Sequence, residues 1–237
     1  MIQFSLQPGE SIQEAARRIA LEQTDHAIEQ LARNENPHEG VHQARKCFKR
    51  IRAVLRLVRD NLGKAQYEPE NEFYRDMGRE LAPLRDVASQ LEAFGRLKTD
   101  DAELQAAVSH FEKGLQEKKE KMLAEFEEDQ IIGKVKFRLV VAQKRIPEWE
   151  FQGKDRRVFR DSLARVYKRG QEAMEATREE QTAEAYHEWR KRVKYLWHQV
   201  QVLEPTAPQV LKKYAKSLKA LADALGEDHD FALIEEE

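Results

Sequence analysis

The sequence predicts an all-α fold, and three observations carry that prediction. Glu, Lys, Arg, Gln and Ala, the good helix formers, dominate the chain, and charged residues reach 35% against roughly 25% in ordinary globular chains. Ten glycines and seven prolines leave few turn signals, so the elements between them must be long. No segment alternates apolar and polar residues with period two for long enough to demand a sheet, Val135 to Val141 being the one stretch that approaches it. With 237 residues, 41% of them hydrophobic, the chain can bury a core as one large helical domain or two small ones sharing an interface.

The elements follow in order. Ser11-Ile12-Gln13-Glu14 is a capping box that opens a helix through about Ala32, with Ile12, Ala16, Ile19, Ile28 and Leu31 on its apolar face. Asn34 to Gly40, which contains Pro37, reads as a loop, and the next helix runs from Val41 to about Leu62. Helices over about 68–98, 101–128 and 131–145 follow, separated by Gly63, by Thr99-Asp100 and by a break near Asp129. Pro83 should interrupt the first of them. Pro147 to Gly153 reads as the main linker. Beyond it come helices near 154–179, 182–204 and 206–225, the last two divided by Pro205 and Pro208.

Cys47 is the only cysteine, which rules out an internal disulfide and fits a reducing compartment. Met1-Ile2-Gln3-Phe4 leads to Pro8-Gly9 rather than to an apolar run, and no stretch of about 18 apolar residues exists to span a bilayer. A soluble, cytoplasmic protein without a membrane partner is expected.

The net charge of -2 conceals segregation. Asp and Glu are in surplus over 98–130, a second basic region runs from Lys134 to Arg169, and Val41 to Arg59 holds seven Arg or Lys and no acid. Where charge lies governs binding more than its sum.

A repeat organises this charge. Val41-His42-Gln43-Ala44-Arg45-Lys46-Cys47-Phe48-Lys49 aligns with Tyr186-His187-Glu188-Trp189-Arg190-Lys191-Arg192-Val193-Lys194 at a constant offset of 145 residues. His, Arg, Lys and a later Lys coincide, as do the apolar positions between them. Each copy ends in a Leu-rich helix, followed by Arg85-Asp86 in one and His229-Asp230 in the other, the latter after a small insertion. The chain reads as two copies of one helical unit, residues 1–146 and 154–237.

At about 100° per residue, His42, Arg45, Lys49, Arg52, Arg56 and Arg59 form one stripe, and Phe48, Ile51, Leu55, Val58 and Leu62 another. In the second copy His187, Arg190 and Lys194 form the basic stripe, while Trp189, Val193, Leu196, Val200 and Leu203 form the apolar one. Lys46 and Lys191 flank their stripes. Like charges at helical neighbour spacing repel by roughly 0.2–0.5 kcal/mol per pair, and from Val41 to Arg59 no interleaved Glu offsets it. Steps of three and four residues advance about 5 Å along the axis, so the cations can track a chain of phosphates, Arg bidentately and Lys as a point charge.

His-x-x-Arg-Lys-x-x-Lys occurring twice, with Tyr167-Lys168-Arg169-Gly170 and Leu225-Gly226-Glu227-Asp228-His229-Asp230, resembles the conserved histidine α-helical domain, or CHAD, over nearly the whole chain. The resemblance implies a single domain of two four-helix bundles related by pseudo-twofold symmetry, their basic helices facing a central cleft or pore. It implies binding of inorganic polyphosphate, association with polyphosphate granules and no enzymatic activity of the domain itself. Carried over residue by residue, the binding set is His42, Arg45, Lys46 and Lys49 with His187, Arg190, Lys191 and Lys194. Arg52 and Arg56 extend the first stripe, and Arg165, Arg169, Lys216 and Lys219 are weaker candidates on flanking helices. Sulfate or phosphate would occupy the same positions in crystals. The second copy stops at Glu237, well short of the length of the first, so its bundle is expected to be incomplete. The alternating Glu-x-Glu-x-Lys strand of the triphosphate-tunnel domain often joined to this family is absent from the sequence.

Other function classes fit less well. No Gly-rich phosphate loop, no Cys/His metal spacing and no cofactor motif occurs, and Cys47 lies away from the basic stripe. Any polyanion shares the electrostatic term, which makes nucleic acid the rival ligand. Phe48 and Trp189 fall on the core face, however, and leave no platform for base stacking. A helical scaffold for protein partners, contacting them through the acidic hairpin of 98–130, is the third reading.

Overall fold

In a computed structural model, residues 4–33, 35–96, 100–153 and 157–235 are described, with side chains except at 157, 158 and 227–235. Every regular element among them is helical: α1 (Ile12–Leu31), α2 (Pro37–Leu57), α3 (Arg59–Leu62), α4 (Lys64–Glu80), α5 (Ala82–Phe94), α6 (Ala102–Glu128), α7 (Ile131–Arg145), α8 (Arg157–Glu180), α9 (Ala183–Leu203) and α10 (Pro208–Glu235). The expected break at Thr99 and the side chains of His229 and Asp230 fall outside the described residues.

The capping box of α1 forms as expected, Glu14 N donating to Ser11 Oγ at 3.2 Å and Ser11 N to Glu14 Oε2 at 2.8 Å. The loop expected over Asn34 to Gly40 is shorter. Asn36 Oδ1 accepts from Glu39 N at 3.2 Å, and Pro37 takes the first helical position, where its missing N–H costs nothing. Gly40 then passes so close to the end of α1 that an added Cβ would stand 2.4 Å from Gln30 O, which leaves room for glycine alone.

The helix expected to run to Leu62 instead stops at Leu57, and the chain turns at Val58 before the four residues of α3. The fourth helix starts earlier than expected because Gly63, at φ 74°, starts the turn, and Pro69 is absorbed within α4. Leu81 separates α4 from α5 just before Pro83, which sits in the first turn of α5. Val135 to Val141 is helical, with Val135, Leu139 and Ala142 buried at steps of four and three.

Three apolar clusters fix the arrangement. The largest joins α1, α2, α4 and α7, with Phe48, Ile51, Tyr74, Met77, Leu139 and Ile146 at its centre. A second unites α8, α9 and α10 through Val193, Leu196, Leu218 and Leu225. Between them Ala16, Ile19, Val54 and Leu57 meet Val202 and Leu203, so α2 and α9, the two basic helices, pack together at the middle of the molecule. Gln199 Nε2 donates to Ala53 O at 3.4 Å across that seam. α5 packs against both α2 and α10. The segment after Pro147 is held firmly: Gln152 N donates to Asn61 O at 2.8 Å, and Asn61 Nδ2 returns a bond to Gln152 O at 2.9 Å.

Ile51 is fully buried one face away from the cations. Ile51→Ala should lower stability by about 3 kcal/mol, the sum of lost burial and residual cavity, as read by urea unfolding.

Candidate polyanion-binding cleft

α2 presents its cations along one side because its other side is held in the core. Arg45, Lys49 and Arg52 line a cleft of about 320 Å³ with Arg75 and Arg79 of α4 and Lys191 of α9. Phe48, Tyr74, Tyr195, Gly78 and Ala82 form the rest of its wall, and among the described lining residues there is no carboxylate. A larger hollow of about 880 Å³ under the N-terminal segment is lined by Glu10, Glu14 and Arg17 and by apolar groups, and gathers no comparable set of cations.

Lys49 stands at the centre. Enclosure by the walls, followed by the positive fields of Lys194, Arg45, Arg190 and Arg85, drives its pKa down to about 7. Lys49 is nonetheless exposed to water, which weakens enclosure as a cause and leaves the crowding of cations as the more durable one. Arg45 donates to Gly78 O and lies 4.0 Å from Asp86, and burial lowers its pKa. Arg52 donates to Asn71 Oδ1 at 3.2 Å. Burial and then Arg56 push it down to about 10. Arg56 donates to Arg52 O at 2.9 Å and covers the Tyr195 ring at 3.9 Å. Burial lowers its pKa too, and the fields of Arg192 and Arg169 add to the effect.

His42 lies half-buried at the other end, near Arg85 and Lys46. Desolvation and those two cations hold it down to about 4, so it is neutral at pH 7. In the second repeat the Arg190 guanidinium lies so close to Gly226 that a Cβ there would come within 3.1 Å of Nη2. Lys191 pairs with Glu188, His187 is partly buried near the start of α9, and Lys46 is exposed at the outer edge.

The flanking candidates separate. Arg169 is exposed but near enough to act on Arg56. Arg165 is tied to Asp60, Nη2 to Oδ2 at 2.9 Å, in the contact between α3 and α8. Lys216 is exposed on α10, and Lys219 pairs with Asp223 at 2.5 Å. Arg165, Lys216 and Lys219 do not line the cleft. Arg59, expected to continue the stripe, follows the break at Val58 and packs over Tyr67 at 5.1 Å. Sequence reasoning missed Arg75 and Arg79, whose spacing of four was legible but which lie outside the repeated motif, among Glu72 and Asp76. Arg85, read in the sequence only as part of the Arg85-Asp86 pair after the first copy, acts on His42, Arg45 and Lys49.

The model of the CHAD domain matches residues 15–237, and the chain belongs to that family. Its fold is similar to the crystal structure of the CHAD domain from the plant Ricinus communis. The TM-score is 0.63 at 18% identity, over 96% of this chain and 78% of that one. No curated protein matches the sequence.

Lys49 gives the empty cleft a pH signature. Its folded pKa of about 7 lies below the ordinary 10.5, so between those values the unfolded chain holds a proton that the folded chain lacks. Stability therefore rises with pH through that window. Urea unfolding at pH 7, 8 and 9 should show this climb, and Lys49→Met should flatten it while raising stability at pH 7.

Proposed function

We propose that this protein binds inorganic polyphosphate in the cleft between α2, α4 and α9, and through it associates with polyphosphate granules in the cytoplasm. The observation that carries the reading is the lining itself: six Arg or Lys side chains from both repeats converge with no carboxylate among the described lining residues. A cluster of this kind repels itself, and a chain of phosphates relieves that repulsion at several points together. Membership of the CHAD family, which is associated with polyphosphate, supports the same ligand.

The role proposed is capture without chemistry. Cys47 is buried in the core and its thiol is pushed up to about 11, away from nucleophilic use. Nucleic acid is the less favoured ligand. Phe48 is buried, Trp189 packs into the second core, and Arg56 already covers Tyr195, so no described aromatic of the cleft offers an open face to a base.

Titration with long-chain polyphosphate, competed by single-stranded RNA and duplex DNA of matched charge at two salt concentrations, tests this. Preferential binding of polyphosphate that weakens steeply with salt is expected. Lys49→Glu and Lys194→Glu should each reduce it at least tenfold with helical circular dichroism unchanged. Equal binding to all three polymers would make the cleft a generic basic surface, and unaltered affinity in both variants would place the ligand elsewhere.

A further inference from the structure

Although the cleft lining holds no described carboxylate, its rim cations are not bare. Arg75 donates through Nε and Nη2 to Asp76 Oδ1 and Oδ2 at 2.7 and 3.1 Å, and through Nη1 to Glu72 at 3.3 Å. Three of its five donors are thus committed to carboxylates of its own helix. Arg79 lies 3.8 Å from the same Asp76. On the facing wall Glu188 pairs with both Lys191 and Arg192. One carboxylate on each wall therefore serves two cations, and of these Arg75, Arg79 and Lys191 line the cleft.

From these contacts we infer that Asp76 and Glu188 are built-in counter-ions, which neutralise the rim in the empty protein and give way to an incoming polyphosphate chain. The inference rests on the polyphosphate reading and names residues that set affinity and its salt dependence. Both carboxylates stay open to water, at 52% and 37% exposure, and exposed pairs of this kind exchange partners readily. Asp76 also feels Arg52 inside the cleft, and the hydrogen bonds from Arg75 keep its carboxyl ionised below the usual range. A phosphate chain anchored at Lys49 carries its next phosphates to Arg75 and Lys191 at high effective concentration, whereas a lone small anion must compete with each carboxylate unaided.

The counter-ions leave a measurable trace. When the rim cations are held by fixed carboxylates, phosphate binding there releases few ions to solution. Neutralising the carboxylates hands those cations to dissolved anions, which binding must then release. Asp76→Asn and Glu188→Gln should each raise affinity for long-chain polyphosphate about threefold to fivefold at low salt. Each should also steepen the slope of log affinity against log salt by about one. Asp161→Asn provides the control, because Asp161 pairs with Arg160 at 3.3 Å on α8 and that arginine does not line the cleft. It should change neither quantity. Unchanged or weaker binding by Asp76→Asn and Glu188→Gln, or an equal gain in Asp161→Asn, would overturn the inference while leaving the binding function standing. Failure of the unaltered protein to bind polyphosphate would overturn both.

Discussion

Everything in this molecule turns on one electrostatic constraint: cations of α2, α4 and α9 gather around a cleft whose described lining holds no carboxylate, so that only their neighbours outside the lining offset them. Lys49 carries the clearest mark of it, its charge disfavoured by the enclosing walls and by Lys194, Arg45, Arg190 and Arg85 together. Such an arrangement holds only if something else fixes the helices. The apolar faces do so. Repulsion of a few tenths of a kcal/mol per pair is small beside the roughly 1.5–3 kcal/mol contributed by each buried side chain of the Ile51 or Leu55 kind. The core therefore sets the geometry, and the cations adapt to it.

Local chemistry explains how the cations come to face inward. α2 keeps Phe48, Ile51 and Leu55 in the large core, which leaves Arg45, Lys49 and Arg52 on the adjoining face, where they line the cleft beside Phe48. α9 does the same with Val193, Leu196 and Val200 against α8 and α10. The two helices then meet at Val54, Leu57, Val202 and Leu203, none of which lines the cleft. Tyr195 receives Arg56 on its face, which lets a further cation approach the junction without a carboxylate.

Much of this was legible in the sequence, for identifiable reasons. Strong helix formers and steps of three and four residues fixed the helices and their two faces. The doubled His-x-x-Arg-Lys-x-x-Lys singled out Arg45, Lys49 and Lys191, which do line the cleft, and Arg190 and Lys194, which act on Lys49. Boundaries were harder. Pro37 read as a loop breaker because its value at the first helical position depends on the Asn36 cap, and nothing in the pattern marked the turn at Val58. Arg75 and Arg79 could not be found from the repeat, since they lie on α4 and reach the cleft only through packing, and the repeat marked Arg85 without showing that its field reaches Lys49. Arg165 was misplaced for the converse reason: its partner, Asp60, is distant in sequence and close only after folding.

If the cleft is the receptor, filling it with phosphates must restore the proton that crowding removes from Lys49. The direct measurement is calorimetric titration of the protein with polyphosphate at pH 8 in two buffers of different ionisation enthalpy. Net proton uptake is expected, since Lys49 in the folded cleft is held down to about 7 and adjacent phosphate favours its charged form. The uptake should vanish in Lys49→Met. Binding with no proton exchange, and with the same affinity in Lys49→Met, would contradict the account and place polyphosphate away from the paired helices.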